Sequence, residues 1–198
     1  MGPVSTNGTD TWPADKALAE VAVAELETQV GRIALACTSS GLAAVGWGDG
    51  SDLVGRLGLP MIRDAGRTEA ALAALRDYFA GRAEPMRIPL DWRLTTGTQR
   101  HVLRTLYETV PYGRSVTYGE LADRSGARVP ARAIGGIMGS NPLPIVVPCH
   151  RVLAHDGLGG YSGGGQLDGL AVKRWLLTME GVLPLTLDWS LQHGPGQV

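Results

Sequence analysis

Hydrophobic and polar positions along the chain fall into two textures that meet near Thr95. Val21 to Thr28, Arg32 to Thr38 and Gly41 to Trp47 are apolar runs split by turn signals at Gly31 and Ser39-Ser40-Gly41, which predicts three strands. Thr68 to Ala80 carries Leu72, Leu75, Tyr78 and Phe79 at helical spacing, with Gly81 as the stop. Met86 to Trp92 is interrupted by Pro89 and suits a linker or edge strand. This half reads as a small α+β domain.

From Thr95 onward the pattern is mostly helical. Val102, Leu106 and Val110 form one stripe over Thr98 to Val110, and Pro111-Tyr112-Gly113 turns the chain. Thr117-Tyr118-Gly119-Glu120 has the S/T-x-x-E form of a capping box, which predicts a helix from Thr117 to Ser125 that stops at Gly126. Pro130 suits the first turn of the next helix, running through Gly135, Gly136 and Met138 toward Asn141-Pro142. Two short helices joined by a tight turn make a helix-turn-helix pattern, common in helical domains and weak alone. Ile145 to Val147 reads as a buried strand-like run leading into Pro148-Cys149. A final helix over Leu170 to Glu180 is expected to bury Leu170, Leu176 and Trp175 before Gly181. The resulting division is a flexible N-terminus (1–20), an α+β domain (21–90), a helical domain (91–188) and a flexible tail (189–198), the ends being rich in Gly, Pro, Thr and Gln.

Composition adds bounds rather than answers. The 198 residues are 44% hydrophobic and 19% charged, an ordinary globular profile. A net charge of −1 gives no global positive field, which weighs against a purely electrostatic polyanion binder but leaves room for a local arginine cluster. No apolar run is long enough to span a bilayer and Met1 to Asp15 lacks a secretory apolar stretch, so a cytoplasmic address with no membrane partner is expected. Reducing conditions there make a Cys37–Cys149 disulfide unlikely.

Pro148-Cys149-His150-Arg151-Val152 is the stretch that carries chemistry. A thiolate is the nucleophile, and a neighbouring histidine can serve as the base that generates it. In an extended segment Cys149 and His150 would point to opposite faces, so contact needs a turn at Cys149 or a bridging water. Glu180, at the end of the last helix, is the best candidate carboxylate to orient His150. The plain alternative is a core cysteine followed by a polar strand end.

Ala131-Arg132-Ala133-Ile134-Gly135-Gly136, then Asn141-Pro142 and Ile145 through Val152, resemble the signature of the O6-alkylguanine-DNA alkyltransferase family. Tyr161-Ser162-Gly163-Gly164, Leu170 to Leu177 and Glu180-Gly181 resemble its next two blocks, in order. The match covers roughly residues 95 to 181, and the first half resembles the family's N-terminal domain, which implies a ribonuclease-H-like sheet and helix. The resemblance implies direct, irreversible, single-turnover transfer of an alkyl group from O6 of guanine in double-stranded DNA, with O4 of thymine as a second target, to Cys149. His150 would be its base through a water, Glu180 would orient His150, and Asn141 would link the recognition helix to the active-site turn. Tyr118 would crowd the target phosphate and Arg132 would fill the vacated stack, on a minor-groove helix whose Ala131, Ala133, Gly135 and Gly136 allow close approach. Pro148, Val152, Tyr161 and Ser162 would line the pocket. No cofactor is implied, and a monomer is expected. Attack on O6 requires the nucleotide to leave the duplex, at a few kcal/mol.

The chain departs from the family in places. Thr98 stands where many members carry phenylalanine and Leu103 where bacterial members often carry tryptophan, changes expected to thin the packing of that helix. Gly163 to Gly169 is longer than usual, and its glycines favour a mobile loop at the pocket, hence an altered alkyl-size preference. Met179 stands before the glutamate, where histidine is frequent. Residues 1–90 offer Cys37 and no histidine, which argues against a structural zinc and for a core role of Cys37. A non-catalytic lesion-sensing protein is the nearest rival. A transcription factor, a cysteine protease and a phosphate-cradling loop at Gly157 to Gly165 have less support, the last lacking both the G-x-G-x-x-G spacing and a P-loop lysine.

Overall fold

The computed structural model describes residues 19–82 and 86–185. The end segments expected to fray lie, apart from residues 19 and 20, outside that range. Strands β1 (Val21–Thr28), β2 (Gly31–Thr38) and β3 (Gly41–Trp47) form an antiparallel meander, in registers that pair Leu26 with Ile33 and Leu35 with Val45. Between Gly41 and Trp47 and the next helix the chain forms a short α1 (Ser51–Leu57), then β4 (Met61–Ile62), which pairs parallel to β1 and gives the order β3-β2-β1-β4. Neither element was expected from the sequence. Seven and two residues are too short for a period to register.

Strand β2 is apolar on both faces because both are covered. Ile33, Leu35 and Cys37 join the main core, whereas Ala34 and Ala36 belong to a smaller cluster with Leu53 of α1. The small side chains let α1 lie close. Helix α2 (Ala65–Phe79) covers the main face through Ala71, Leu75, Tyr78 and Phe79. It starts three residues before the expected Thr68, because Asp64 caps it by accepting from the Arg67 amide. Gly41 has φ 127°, and a Cβ there would stand 2.2 Å from the Pro89 carbonyl oxygen, so only glycine fits.

Helix α3 (Gly97–Thr109) buries Val102, Leu103 and Leu106. Thr98 is exposed, so its threonine removes nothing from the core, contrary to the expected thinning there. The capping box forms in full: Thr117 accepts from the Glu120 amide, and the Glu120 carboxylate accepts from the Thr117 amide, opening α4 (Tyr118–Ser125), which ends at left-handed Gly126. Pro130 is the residue just before α5 (Ala131–Gly139).

Two expectations need correction. Ile145 to Val147 is not a strand: Ile145 has φ 73°, and the Val147 amide donates to the Leu143 carbonyl, so the segment is a buried turn. Its apolar residues satisfy burial rather than strand pairing, and a β-branched residue in the left-handed region stores about 1–3 kcal/mol of strain. In α6 (Gly169–Met179) the buried face is Val172, Lys173, Leu176 and Leu177, while Leu170 is 45% exposed and Trp175 only partly buried. Asp168 caps this helix through the Leu170 amide, and the start at Gly169 turns Leu170 outward.

One continuous core joins Leu35 and Val45 of the sheet, Leu75 of α2, Leu103 of α3, Val147 of the turn and Leu176 of α6. The turn before Cys149 is therefore wedged between both halves of the chain. No helix among the described residues is long and apolar enough to cross a membrane.

Candidate active site

Asn141, just past the end of α5, builds the turn on which the nucleophile sits. Its side-chain oxygen accepts from the Leu143 amide at 3.0 Å, and its side-chain nitrogen donates to the Val147 carbonyl at 2.8 Å. The amide of Asn141 also reaches the Cys149 thiol. The chain then makes one turn of 3-10 helix over Cys149–Arg151, closed by the Arg151 amide donating to the Pro148 carbonyl. Strand β6 (Val152–Leu153) leaves this turn and pairs parallel with β5 (Val116–Thr117), which brings Tyr118 beside the cysteine. The backbone thus turns at Cys149, while among the described residues His150 Nδ1 has no hydrogen-bond partner.

The charges behind the thiol form a closed network. His150 Nε2 lies 2.8 Å from Glu180 Oε1, so the imidazole donates there and keeps its lone pair on Nδ1. Arg151 grips the same carboxylate with a fork, Nε to Oε2 at 2.7 Å and Nη2 to Oε1 at 2.9 Å, and donates Nη1 to the Val110 carbonyl. Tyr78 of α2 donates its hydroxyl to Glu180 Oε1 at 2.7 Å. Burial alone would raise the Glu180 pKa, but His150 and Arg151 outweigh it and hold the group at about 2.

The thiol and its base are both neutral at rest. Burial pushes the Cys149 thiol up, opposed by the Asn141 hydrogen bond and the Lys173 charge. Burial also lowers the His150 pKa, opposed by Glu180. Burial thus works against charge on either group, so the thiolate has to be generated rather than stored. Lys173 is the nearby cation. Its ammonium donates to the Val152 carbonyl at 2.7 Å and to the Gly160 carbonyl at 3.1 Å, and burial brings its pKa down to about 8.

The other expected site residues divide between the surroundings of the cysteine turn and an outer face. Tyr118 packs on Gly159 and donates to the Gly160 carbonyl at 3.4 Å. Tyr161 is buried at its hydroxyl, whose pKa is raised by burial and by the neighbouring thiol. Ser162 donates to the Gly139 carbonyl at 3.1 Å, tying the pocket loop to α5. Val152 is buried beside the turn. Pro148 lines a cavity of about 370 Å³ behind the site, with Tyr78, Tyr112, Val146 and Arg151. Ala131 and Arg132 are exposed on α5. Gly135 and Gly136 face open space, since a Cβ on either would meet nothing within 4 Å. Tight packing inside this chain therefore does not explain those glycines.

Arg151, Lys173 and Tyr78 are the functional residues that sequence reasoning missed. Arg151 and Lys173 lie inside the recognised blocks, and a charge at a helix position flanked by Val172 and Leu176 was the signal for Lys173. Tyr78 fitted an apolar stripe and gave no signal of its own. Cys37, by contrast, is 2% exposed with its pKa pushed up to about 11 by burial, a core residue as expected. Among the described residues no cluster of three or more His, Cys, Asp or Glu could hold a metal ion.

Comparison with known proteins bears on this arrangement directly. Residues 97–182 match the family model described as 6-O-methylguanine DNA methyltransferase, DNA binding domain, and residues 23–92 match that of its ribonuclease-like domain. The methylated-DNA–protein-cysteine methyltransferase of Mus musculus is 52% identical over 84 residues, 42% of this chain and 38% of the relative. The chain thus spans well under two thirds of that relative's length. The protein of the same name from Mycobacterium bovis is 44% identical over 118 residues, 59% of this chain and 67% of the relative. A crystal structure of Mycobacterium tuberculosis OGT in complex with DNA superposes with a TM-score of 0.68 at 36% identity, covering 81% of this chain and 93% of that one. With a mixed α+β fold, both halves matched and the cysteine turn intact, the chain belongs to the 6-O-methylguanine DNA methyltransferase family.

Proposed function

We propose that this protein repairs DNA by moving an alkyl group from O6 of guanine onto the sulfur of Cys149, once per molecule. The observation that carries the reading is the cysteine seated on its 3-10 turn, with the Asn141 amide at the thiol and the buried His150–Glu180–Arg151 network directly behind it. The His150 lone pair on Nδ1 has no hydrogen-bond partner among the described residues, so it is available to take the thiol proton. As the S–C bond forms, the C–O6 bond breaks and guanine leaves with that electron pair, taking a proton from solvent while His150 later returns the thiol proton to solvent. Lys173 and the Asn141 amide stabilise the thiolate that exists once the proton has left and before the S–C bond forms. The imidazolium that forms is stabilised by Glu180. The product thioether is not reversed by thiol exchange, so turnover is single.

DNA as the partner accounts for the outer face. The helix-turn-helix formed by α4 and α5 presents exposed Arg132 beside glycines that open onto solvent. That combination suits a shallow approach to the minor groove, with Arg132 occupying the stack left by a flipped nucleotide and Tyr118 crowding its phosphate. Action as a monomer is part of the same reading.

The test is the intact mass of the protein before and after exposure to a duplex containing O6-methylguanine. One added methyl group per molecule, located on the Cys149 peptide, is the expected result; full lesion binding with no mass gain would favour the lesion-sensing reading instead. Replacing Arg132 with alanine is expected to slow repair of duplex DNA at least about tenfold, while leaving reaction with free O6-benzylguanine nearly unchanged. Stopped reactions on the two substrates measure this, and equal slowing of both would exclude a flipping role.

A further inference from the structure

The segment Gly163 to Gly169 reads from sequence as a mobile loop, yet it is seated on Trp47, the last residue of β3. The indole is fixed by its own hydrogen bond, Nε1 donating to the Val30 carbonyl at 2.9 Å. Tyr161 meets it edge-on, with ring centroids 6.3 Å apart at 89°. A Cβ on Gly163 would stand 2.6 Å from the Trp47 ring and 2.5 Å from the Tyr161 ring. On Gly165, at φ 59°, it would stand 2.8 Å from the Trp47 Cβ. On Gly169 it would stand 2.5 Å from the Tyr161 carbonyl oxygen. Leu167, in the same segment, packs over Gly31 at the β1–β2 turn, 3.5 Å from where a Cβ on that glycine would stand. Gly163 and Gly165 serve close approach to the Trp47 side chain and Gly169 to the Tyr161 backbone, and close approach restrains what their backbone freedom would otherwise release.

Trp47 therefore braces Tyr161 and the glycine loop from the other half of the chain. Its neighbour Tyr161 carries a hydroxyl that is buried and within electrostatic reach of the Cys149 thiol. Tyr161 follows Gly160, whose carbonyl shares the Lys173 ammonium with the carbonyl of Val152, three residues beyond Cys149, so the ring and the cysteine turn are tied to one cation.

We propose that Trp47 is a specificity-determining residue: by clamping the Gly163–Gly169 loop and holding Tyr161 edge-on, it sets the size of alkyl group that fits beside Cys149. This rests on the alkyl-transfer reading and names what controls the range of lesions accepted. Loss of the indole frees Tyr161 to retreat, which favours bulky substituents over methyl.

Rates of mass gain are measured for the 198-residue chain and its Trp47→Ala and Trp47→Phe variants on two duplexes that differ only in carrying O6-methylguanine or O6-benzylguanine. The expected result for Trp47→Ala is a rise of about tenfold in the benzyl-to-methyl rate ratio, within the range one pocket wall can supply. Trp47→Phe keeps a ring against Tyr161 and is expected to shift the ratio less. Parallel slowing on both duplexes, with a ratio unchanged within about twofold, would reduce Trp47 to a structural role and overturn the proposal. Should Trp47→Ala not fold, Gly165→Ala, which drives a methyl group into the Trp47 side chain, must also move the ratio. An unmoved ratio there overturns the proposal equally. Wild-type protein that gains neither alkyl group defeats the alkyl-transfer reading itself, whereas normal wild-type transfer with unmoved variant ratios defeats only the assignment of Trp47.

Discussion

Replacing Cys149 with serine is expected to abolish alkyl uptake while leaving binding to lesion-containing DNA intact. The substitution exchanges a polarisable sulfur for a hydroxyl whose ionisation lies far beyond the reach of a neutral imidazole. Burial, which already pushes the native thiol up, penalises an alkoxide more. The loss should be at least about a thousandfold in rate, the scale seen when a nucleophile that works as part of a unit is removed. Mass spectrometry of the protein after prolonged exposure to methylated duplex checks this, with a gel-shift assay reporting the binding that should survive. Methyl uptake by the variant at another residue would contradict the assignment. Cys37 is no substitute, being sealed in the core with its pKa at about 11.

The second large effect is expected at Glu180. Its carboxylate is the shared acceptor for His150, both arms of the Arg151 fork and the Tyr78 hydroxyl, and its side chain is fully buried. Glu180→Ala leaves the Arg151 guanidinium and two further donors, the His150 imidazole and the Tyr78 hydroxyl, without this acceptor, a loss on the order of 3–5 kcal/mol. In a chain of this size that corresponds to a melting temperature lower by roughly 10 °C. A thermal melt checks it, and a drop of under about 2 °C would mean the network carries little of the fold's stability. Alkyl transfer should slow as well, because His150 loses the partner that fixes its tautomer and supports its cationic form.

The same network makes stability depend on acid. Glu180 titrates at about 2 in the fold against an ordinary 4.5, so the unfolded chain takes the proton first. Its contribution is complete above about pH 4.5 and disappears as pH falls toward 2, a span worth on the order of 3 kcal/mol. His150 acts in the same direction, since burial holds it below its usual 6.5 and the unfolded imidazole protonates first. Denaturant melts across pH should therefore show stability falling from about pH 6.5 downward, steepening below 4.5. Glu180→Gln should lose the steeper segment, and an unchanged acid limb in that variant would assign the effect elsewhere.

Tyr78 gives the network a wider meaning. It is the point at which α2, packed on the N-terminal sheet, touches the Glu180 carboxylate across 102 residues of sequence. Together with Trp47 under the pocket loop, it makes the first half of the chain a structural participant in the site rather than an appendage.

What the sequence alone determined is whatever is decided within a few residues. The strand runs, the Thr117–Glu120 capping box and the Gly126 stop are local, because backbone hydrogen bonding and caps depend on neighbours three or four positions away. The Cys149-His150 pair and the order of the blocks around it were legible for the same reason, as contiguous residue types. Only the tertiary structure decided the left-handed turn at Ile145, the neutral resting state of thiol and imidazole, the buried roles of Arg151 and Lys173, and the clamping of the glycine loop by Trp47. Those features arise where segments distant in sequence exclude water together. Burial shifts a pKa, and a buried charge finds its partner, only once the chain has closed around it.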